Sequence, residues 1–289
     1  MRNHLYILTR SNGKTILHHI REVGVIMDIH EKKVSQYGYI RQQTDTGLIT
    51  QKKGQYVTGY SVGILYLDEN SYPVIPGNVA NCYTYNFPVQ YKLVPGCTGQ
   101  ALLSGDRTLL DGIIQTAKQF QSEGAKAISA ACGFFGQFQS EVAEALDIPV
   151  YLSSLVQIPW IEIGLKSKQK IGVLTAYEAG LTSNLFQSCG VNNTDRLVIG
   201  DLSREEEFSA ILEGRGSFDN DKIRMEVVQK AIELVELEPD IAAILLECSD
   251  LPPYAYDIQK AVQLPVYDYI SLIRWVHFAN SQRPYVGFI

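Results

Sequence analysis

The sequence is short of the signatures that most often announce a function. It holds neither a GxGxxG turn nor a GxxxxGK[ST] loop, so the glycine-rich backbones that cradle nucleotide phosphates are missing. It has no GxSxG run, which removes the strained nucleophile turn of the serine hydrolases. Five histidines stand at positions 4, 18, 19, 30 and 277, none close in sequence to Cys132 or Cys248, and this argues against a histidine-cysteine metal site. Basic residues are outnumbered, 25 against 31 acidic, for a formal charge of -6, and no basic run compensates. Nucleic acid is therefore a poor partner. Long apolar runs are absent too: the opening MRNHLYILTRSNGK meets charge before a signal core or membrane anchor can form, and apolar stretches elsewhere are strand-sized. The five cysteines are odd in number and too few for a disulfide framework in 289 residues. Without an export signal they read as thiols in a reducing cytoplasm.

What the chain does have is a repeat. IAAILLECSDLPPY (241–254) runs apolar to Glu247 and then sets Cys248 where a buried strand gives way to a turn, and AISAACGFFG (127–136) puts Cys132 in the same setting. The two cysteines lie 116 residues apart, the two PVY segments at Pro149 and Pro265 share that offset, and VGIL (62–65) recurs as IGVL (171–174) at an offset of 109. Three landmarks in one order at nearly constant spacing predict two copies of one α/β unit related by an approximate two-fold.

Each copy alternates strand and helix. SVGILYLD (61–68), AKAISAA (125–131) and PVYLSS read as buried strands in the first copy. Leu109, Leu110, Ile113, Ile114, Ala117 and Phe120 recur at helical spacing over 107–124, and Gly124 stops that helix. In the second copy KIGVLTA (170–176), VIGDL (198–202) and IAAILLE are the strands, with a long helix over 222–240. The prediction is two similar parallel-sheet α/β domains with a cleft between them. Residues 56–165, joined by 268–289, form the first domain and 166–267 the second, while 1–55 form a small, mostly β extension. YISLIRWVHFA (269–279) is a helix that can return to the first half.

Both cysteines thus fall at the carboxyl ends of central strands, where α/β sheets present their ligand sites. Two thiols facing each other across a cleft suit proton transfer at a carbon acid: one removes the α-proton, the other supplies a proton to the opposite face. A helix amino terminus beside each thiol would favour the thiolate. Asn78, in the turn PGN after the first strand, is a pocket candidate by position.

VGILYLD, PGNVANCYTYNFPVQYKLVPG, AACGFFG, PVYLSSLVQIP, IGVLTA, LLECSD and LPVYDYISLI together resemble the aspartate/glutamate/hydantoin racemase superfamily, from about Ser61 to the carboxyl terminus. The resemblance implies cofactor-independent proton transfer between Cys132 and Cys248, with neither pyridoxal phosphate nor a metal. It implies a substrate carboxylate held by the turns at Gly133, Phe134, Ser249 and Asp250, with Asp68 and Thr175 as assisting polar positions, and a possible homodimer. Where amino-acid racemases of this kind continue the first cysteine with Asn-Thr, this chain has Gly133-Phe134-Phe135, which removes polar contacts and adds aromatic bulk. The expected activity is racemisation or epimerisation of an amino acid or related chiral acid. The alternatives are a decarboxylase or cis-trans isomerase of a small dicarboxylic acid, and a non-enzymatic carboxylate-binding protein.

Overall fold

The computed structural model describes residues 55–289 and, before them, the backbone of an antiparallel hairpin of β1 (Tyr6–Ser11) and β2 (Lys14–His19). The remainder of the expected β extension lies outside the described residues. The chain divides into two units, 1–53 and 54–289, and the second holds two parallel four-stranded sheets.

The first sheet is built from β3 (Val62–Tyr66), β4 (Val89–Leu93), β5 (Ala127–Ala130) and β6 (Val150–Tyr151), in the order β4-β3-β5-β6. The second uses β7 (Lys170–Thr175), β8 (Leu197–Asp201), β9 (Ile241–Leu246) and β10 (Val266–Tyr267), in the order β8-β7-β9-β10. Every pairing in both is parallel, and the order is the same, so the sequence repeat is a repeat of topology. The central strands are buried on both faces, which is why they read as unbroken apolar runs.

Crossovers are helical: α1 (Gly99–Leu103), α2 (Leu109–Glu123), α3 (Gln139–Ala145) and α4 (Ile158–Ile163) in the first half. The second half has α5 (Ser183–Ser188), α6 (Ser209–Glu213), α7 (Asn220–Leu237), α8 (Ala255–Val262) and α9 (Tyr269–Asn280). α2 buries Leu109, Ile113, Ala117 and Phe120, the three larger side chains each contributing roughly 1.5–3 kcal/mol if they leave water fully. Its last turn closes on Gly124, whose φ of 98° lets the backbone turn left-handed and donate back to Phe120 and Gln121. α7 starts at Asp219, whose carboxylate accepts from the Asp221 and Lys222 N–H groups, and it buries Ile223, Val227, Ala231 and Leu234. Gly63 on β3 leaves the notch that Phe120 fills: a Cβ there would stand 2.6 Å from the ring.

α9 follows the second sheet in the chain but packs on the first. Its N-terminus is fixed by a capping box between Asp268 and Ser271, and its buried face, including Tyr269, Ile273 and Val276, meets Val62, Ile64, Ala127 and Ala131. The edge strands β6 and β10 carry the two PVY tyrosines. Tyr151 meets Trp275 of α9 edge-on at 5.8 Å, and Tyr267 meets Trp160 of α4 at 5.9 Å, a two-fold pair of aromatic contacts. Among the described residues no helix is long and apolar enough to cross a membrane.

Candidate active site

The two central strands β5 and β9 each end two residues before a cysteine, and the chain leaves both in matching ways. Ala131 donates its N–H to Leu65 and Glu247 donates to Leu174, each bonding to the neighbouring central strand. Cys132 then accepts at its carbonyl from Phe135, and Cys248 accepts from Leu251, both at 3.2 Å. The sulfurs are treated alike as well: the Phe134 N–H points to the Cys132 thiol and the Asp250 N–H to the Cys248 thiol, the latter at 3.5 Å. The repeat therefore brings both thiols to one cavity of about 350 Å3, lined also by Gly133, Phe134, Ser249 and Asp250.

Three further residues of the sequence reading stand differently. Asn78 is buried and donates to Asp250 Oδ1, so it holds a cleft residue in place. Thr175 lies beneath the cleft, its hydroxyl donating to Glu247 Oε2 at 2.9 Å. Asp68 is exposed, accepts from the Gly96 N–H at 2.8 Å and does not line the cavity.

The two-fold breaks at chosen places. Where the first half has Ala131, the second has Glu247; where the first has Phe134, the second has Asp250. Asp250 is buried, takes a hydrogen bond from the Cys248 thiol at 3.4 Å and another from the Tyr72 hydroxyl at 3.2 Å. Burial raises its pKa, while the donors from Cys248, Tyr72, Asn78 and Ser249 pull it back. Glu247 is fully buried; removal from water raises its carboxyl from 4.5 to about 7, with only the Thr175 hydroxyl opposing.

The sequence reading expects helix amino termini to lower both thiols, and the structure overturns this. Each cysteine is followed first by a short 3-10 turn, Gly133–Phe138 or Pro252–Tyr254, and burial dominates. Burial pushes the Cys132 thiol up, with the Phe134 N–H pulling it down and Glu247, Cys97 and Asp250 adding to the rise. Cys248 is pushed further by burial, then by Asp250 and Glu247. Cys132 is the partly exposed thiol of the pair, and its N–H donor outweighs each acidic neighbour, whereas for Cys248 the carboxylates outweigh the donor, so Cys132 is the easier one to ionise.

Sequence reasoning missed Tyr72, which reaches Asp250 from a loop after β3, and assigned no role to Glu247. A carboxylate inside an otherwise apolar run was the visible signal for the second; nothing local marks the first. No lysine, arginine or histidine occurs among the described residues lining the cavity. Among the described residues no group of three His, Cys, Asp or Glu side chains is placed to hold a metal ion.

No family model matches the chain. A dimethylsulfoniopropionate lyase of Durusdinium sp. clade D is 32% identical over 217 residues, spanning 73% of this chain and 71% of that protein. Among solved structures, a cysteine-bearing variant of arylmalonate decarboxylase superposes with a TM-score of 0.53 at 17% identity, over 76% of this chain and 92% of that one. The allantoin racemase of Pseudomonas fluorescens gives 0.51 at 13% identity, over 76% and 89% of the two chains. The solved structures share the fold, and the relative shares the sequence. The chain belongs to the dimethylsulfoniopropionate lyase family, a family of enzymes, and shares the fold of the arylmalonate decarboxylase and allantoin racemase structures.

Proposed function

We propose that the chain catalyses β-elimination from a sulfonium-bearing carboxylate of the dimethylsulfoniopropionate kind, in place of the racemisation its two thiols first suggest. The observation that carries this reading is the lining of the cleft: two thiols and two carboxylates, aromatic rings at Tyr72 and Phe134, and no basic side chain. Such a pocket suits a methylated cation, which Asp250 attracts and the aromatic faces accommodate. The cation would also favour the thiolate, because a positive charge near a buried thiol stabilises its ionised form.

In the proposed step the Cys132 thiolate takes the α-proton. The C–H electrons form the carbon-carbon double bond, the β C–S bond breaks, and its electron pair goes to sulfur. The products are neutral dimethyl sulfide and acrylate, and the Cys132 thiol later returns its proton to solvent. Backbone N–H groups at the turns after the two cysteines stabilise the charge that gathers on the carboxylate as the α-proton leaves. Elimination needs one base and no reprotonation at carbon, so Cys248 keeps its proton against Asp250 and shapes the cleft.

The test is incubation of the full chain with dimethylsulfoniopropionate in D2O, reading dimethyl sulfide in the headspace and acrylate by proton NMR. Release of both in equal amounts, abolished by Cys132→Ser, supports elimination. Absence of both, with α-proton exchange on a chiral acid dependent on both cysteines, would restore racemisation.

A further inference from the structure

We propose that Glu247 works as a neutral carboxylic acid at the floor of the cleft, donating from its Oε1 to the substrate carboxylate, so that the carboxylate binds together with one proton. The proposal rests on the elimination reading only for the presence of that carboxylate.

Three observations point to this residue. Glu247 lines the cavity that holds both thiols and is fully buried, yet its Oε1 has no hydrogen-bond partner among the described residues, whereas Oε2 is held by Thr175. A carboxylate with a bare buried oxygen costs far more than a carboxylic acid with one unpaired group, and a ligand that accepts from that group removes the remaining cost. Second, the chain is cut back to receive it. Gly133 lies against that oxygen so closely that a Cβ would stand 1.6 Å from Oε1, and Gly133 begins the turn that follows the first thiol. Third, it is one of the points where the two halves differ, since the equivalent position is Ala131, and the Thr175 bond leaves Oε1 unaccounted for.

Burial favours its neutral form. Cys132 faces it from the turn after β5, Cys248 from its own loop with Asp250 beyond, Cys189 from the end of α5 and Tyr269 from α9. None of these groups is a cation that could hold an ionised Glu247, the thiols and the phenol stay protonated when buried, and the Thr175 hydroxyl bonds Oε2 without charge. A substrate carboxylate entering beside Glu247 would face repulsion if that group were ionised. A protonated Glu247 turns the same contact into a short O–H···O bond, which strengthens as α-deprotonation loads charge onto the carboxylate.

Calorimetry with propionate as the probe, in buffers of different ionisation enthalpy, measures protons taken up on binding. With the free carboxyl near 7, the wild-type chain should take up close to one proton per propionate near pH 8 and almost none near pH 5.5. Glu247→Gln should bind propionate without uptake at either pH, and an infrared carboxylic-acid band that grows on binding in wild type should be missing. Absence of uptake by wild type near pH 8, or equal uptake by the variant, overturns the proposal. The wild-type measurement alone decides if the variant does not fold. Dimethyl sulfide assayed in parallel separates the two readings: gas release without proton uptake sinks this proposal, while uptake without gas release sinks the elimination reading and leaves Glu247 as the carboxylate's donor.

Discussion

Replacing Glu247 by glutamine should change how stability depends on pH, by an amount that follows from the burial of one carboxyl. Burial raises that group from 4.5 to about 7, so the native state binds its proton more tightly than the unfolded chain does. Its contribution is fully present below pH 4.5, declines as pH climbs through the interval and is gone above 7. At about 1.4 kcal/mol per pKa unit the whole interval is worth about 3 kcal/mol. Glutamine has a similar shape and never ionises, so wild type minus Glu247→Gln should fall by that amount between acid and mildly alkaline pH. All other titrations are common to both proteins and cancel in the difference. For a unit of this size, about 3 kcal/mol corresponds to a relative shift in melting temperature of roughly 6–12 °C. Urea titrations at several values between pH 4.5 and 8 would measure it. A difference flat across that range would mean that the folded chain does not hold this proton, and the reasoning about the cleft floor would fail with it.

Other substitutions probe the cleft from different sides. Cys132→Ser should lower turnover of dimethylsulfoniopropionate by about 10²–10⁴-fold, the usual worth of a positioned base, while Cys248→Ser stays within an order of magnitude of wild type; headspace assays compare them. Gly133→Ala sets a methyl 1.6 Å from Glu247 Oε1 and 2.8 Å from the Glu247 carbonyl oxygen, and should cost roughly 1–3 kcal/mol of stability in denaturant titration. Combining it with Glu247→Ala should recover part of that loss. Asp250→Asn should raise KM for the sulfonium substrate about 10-fold or more and change kcat less, because the lost attraction acts on the bound cation before the chemistry begins.

Much of the fold was legible because its main strands are apolar throughout. VGILY, AISA, KIGVLT and IAAILL stand out in any reading, and their matched offsets revealed the repeat before any contact was known. β4 was not legible: Val89, Tyr91 and Leu93 alternate with Gln90 and Lys92 on an edge strand after Pro88, a pattern too short and too polar to separate from loop. The five-residue helices α1 and α6 escaped for a similar reason. The cysteines were found because the repeat marked them. Glu247 showed only as a charge in the wrong place, since its meaning depends on Gly133, brought against it from 114 positions away by the packing of one half on the other. The ionisation of the thiols was misjudged because local geometry suggests a helix end, whereas burial is a property of the assembled cleft.

The returning helix α9 has a consequence for how this chain can be divided. A cut in the loop 164–169 leaves an amino-terminal piece whose sheet lacks the surface that covers Val62, Ile64 and Ala127. The carboxyl-terminal piece would carry that cover, including Ile273 and Val276, as an apolar tail with nowhere to dock. Neither piece is a finished module, yet each holds what the other needs, together with one cysteine of the pair. Co-expressed as separate polypeptides, the two pieces should reassociate, with reassembly of the sheet and reassembly of the thiol pair as one event.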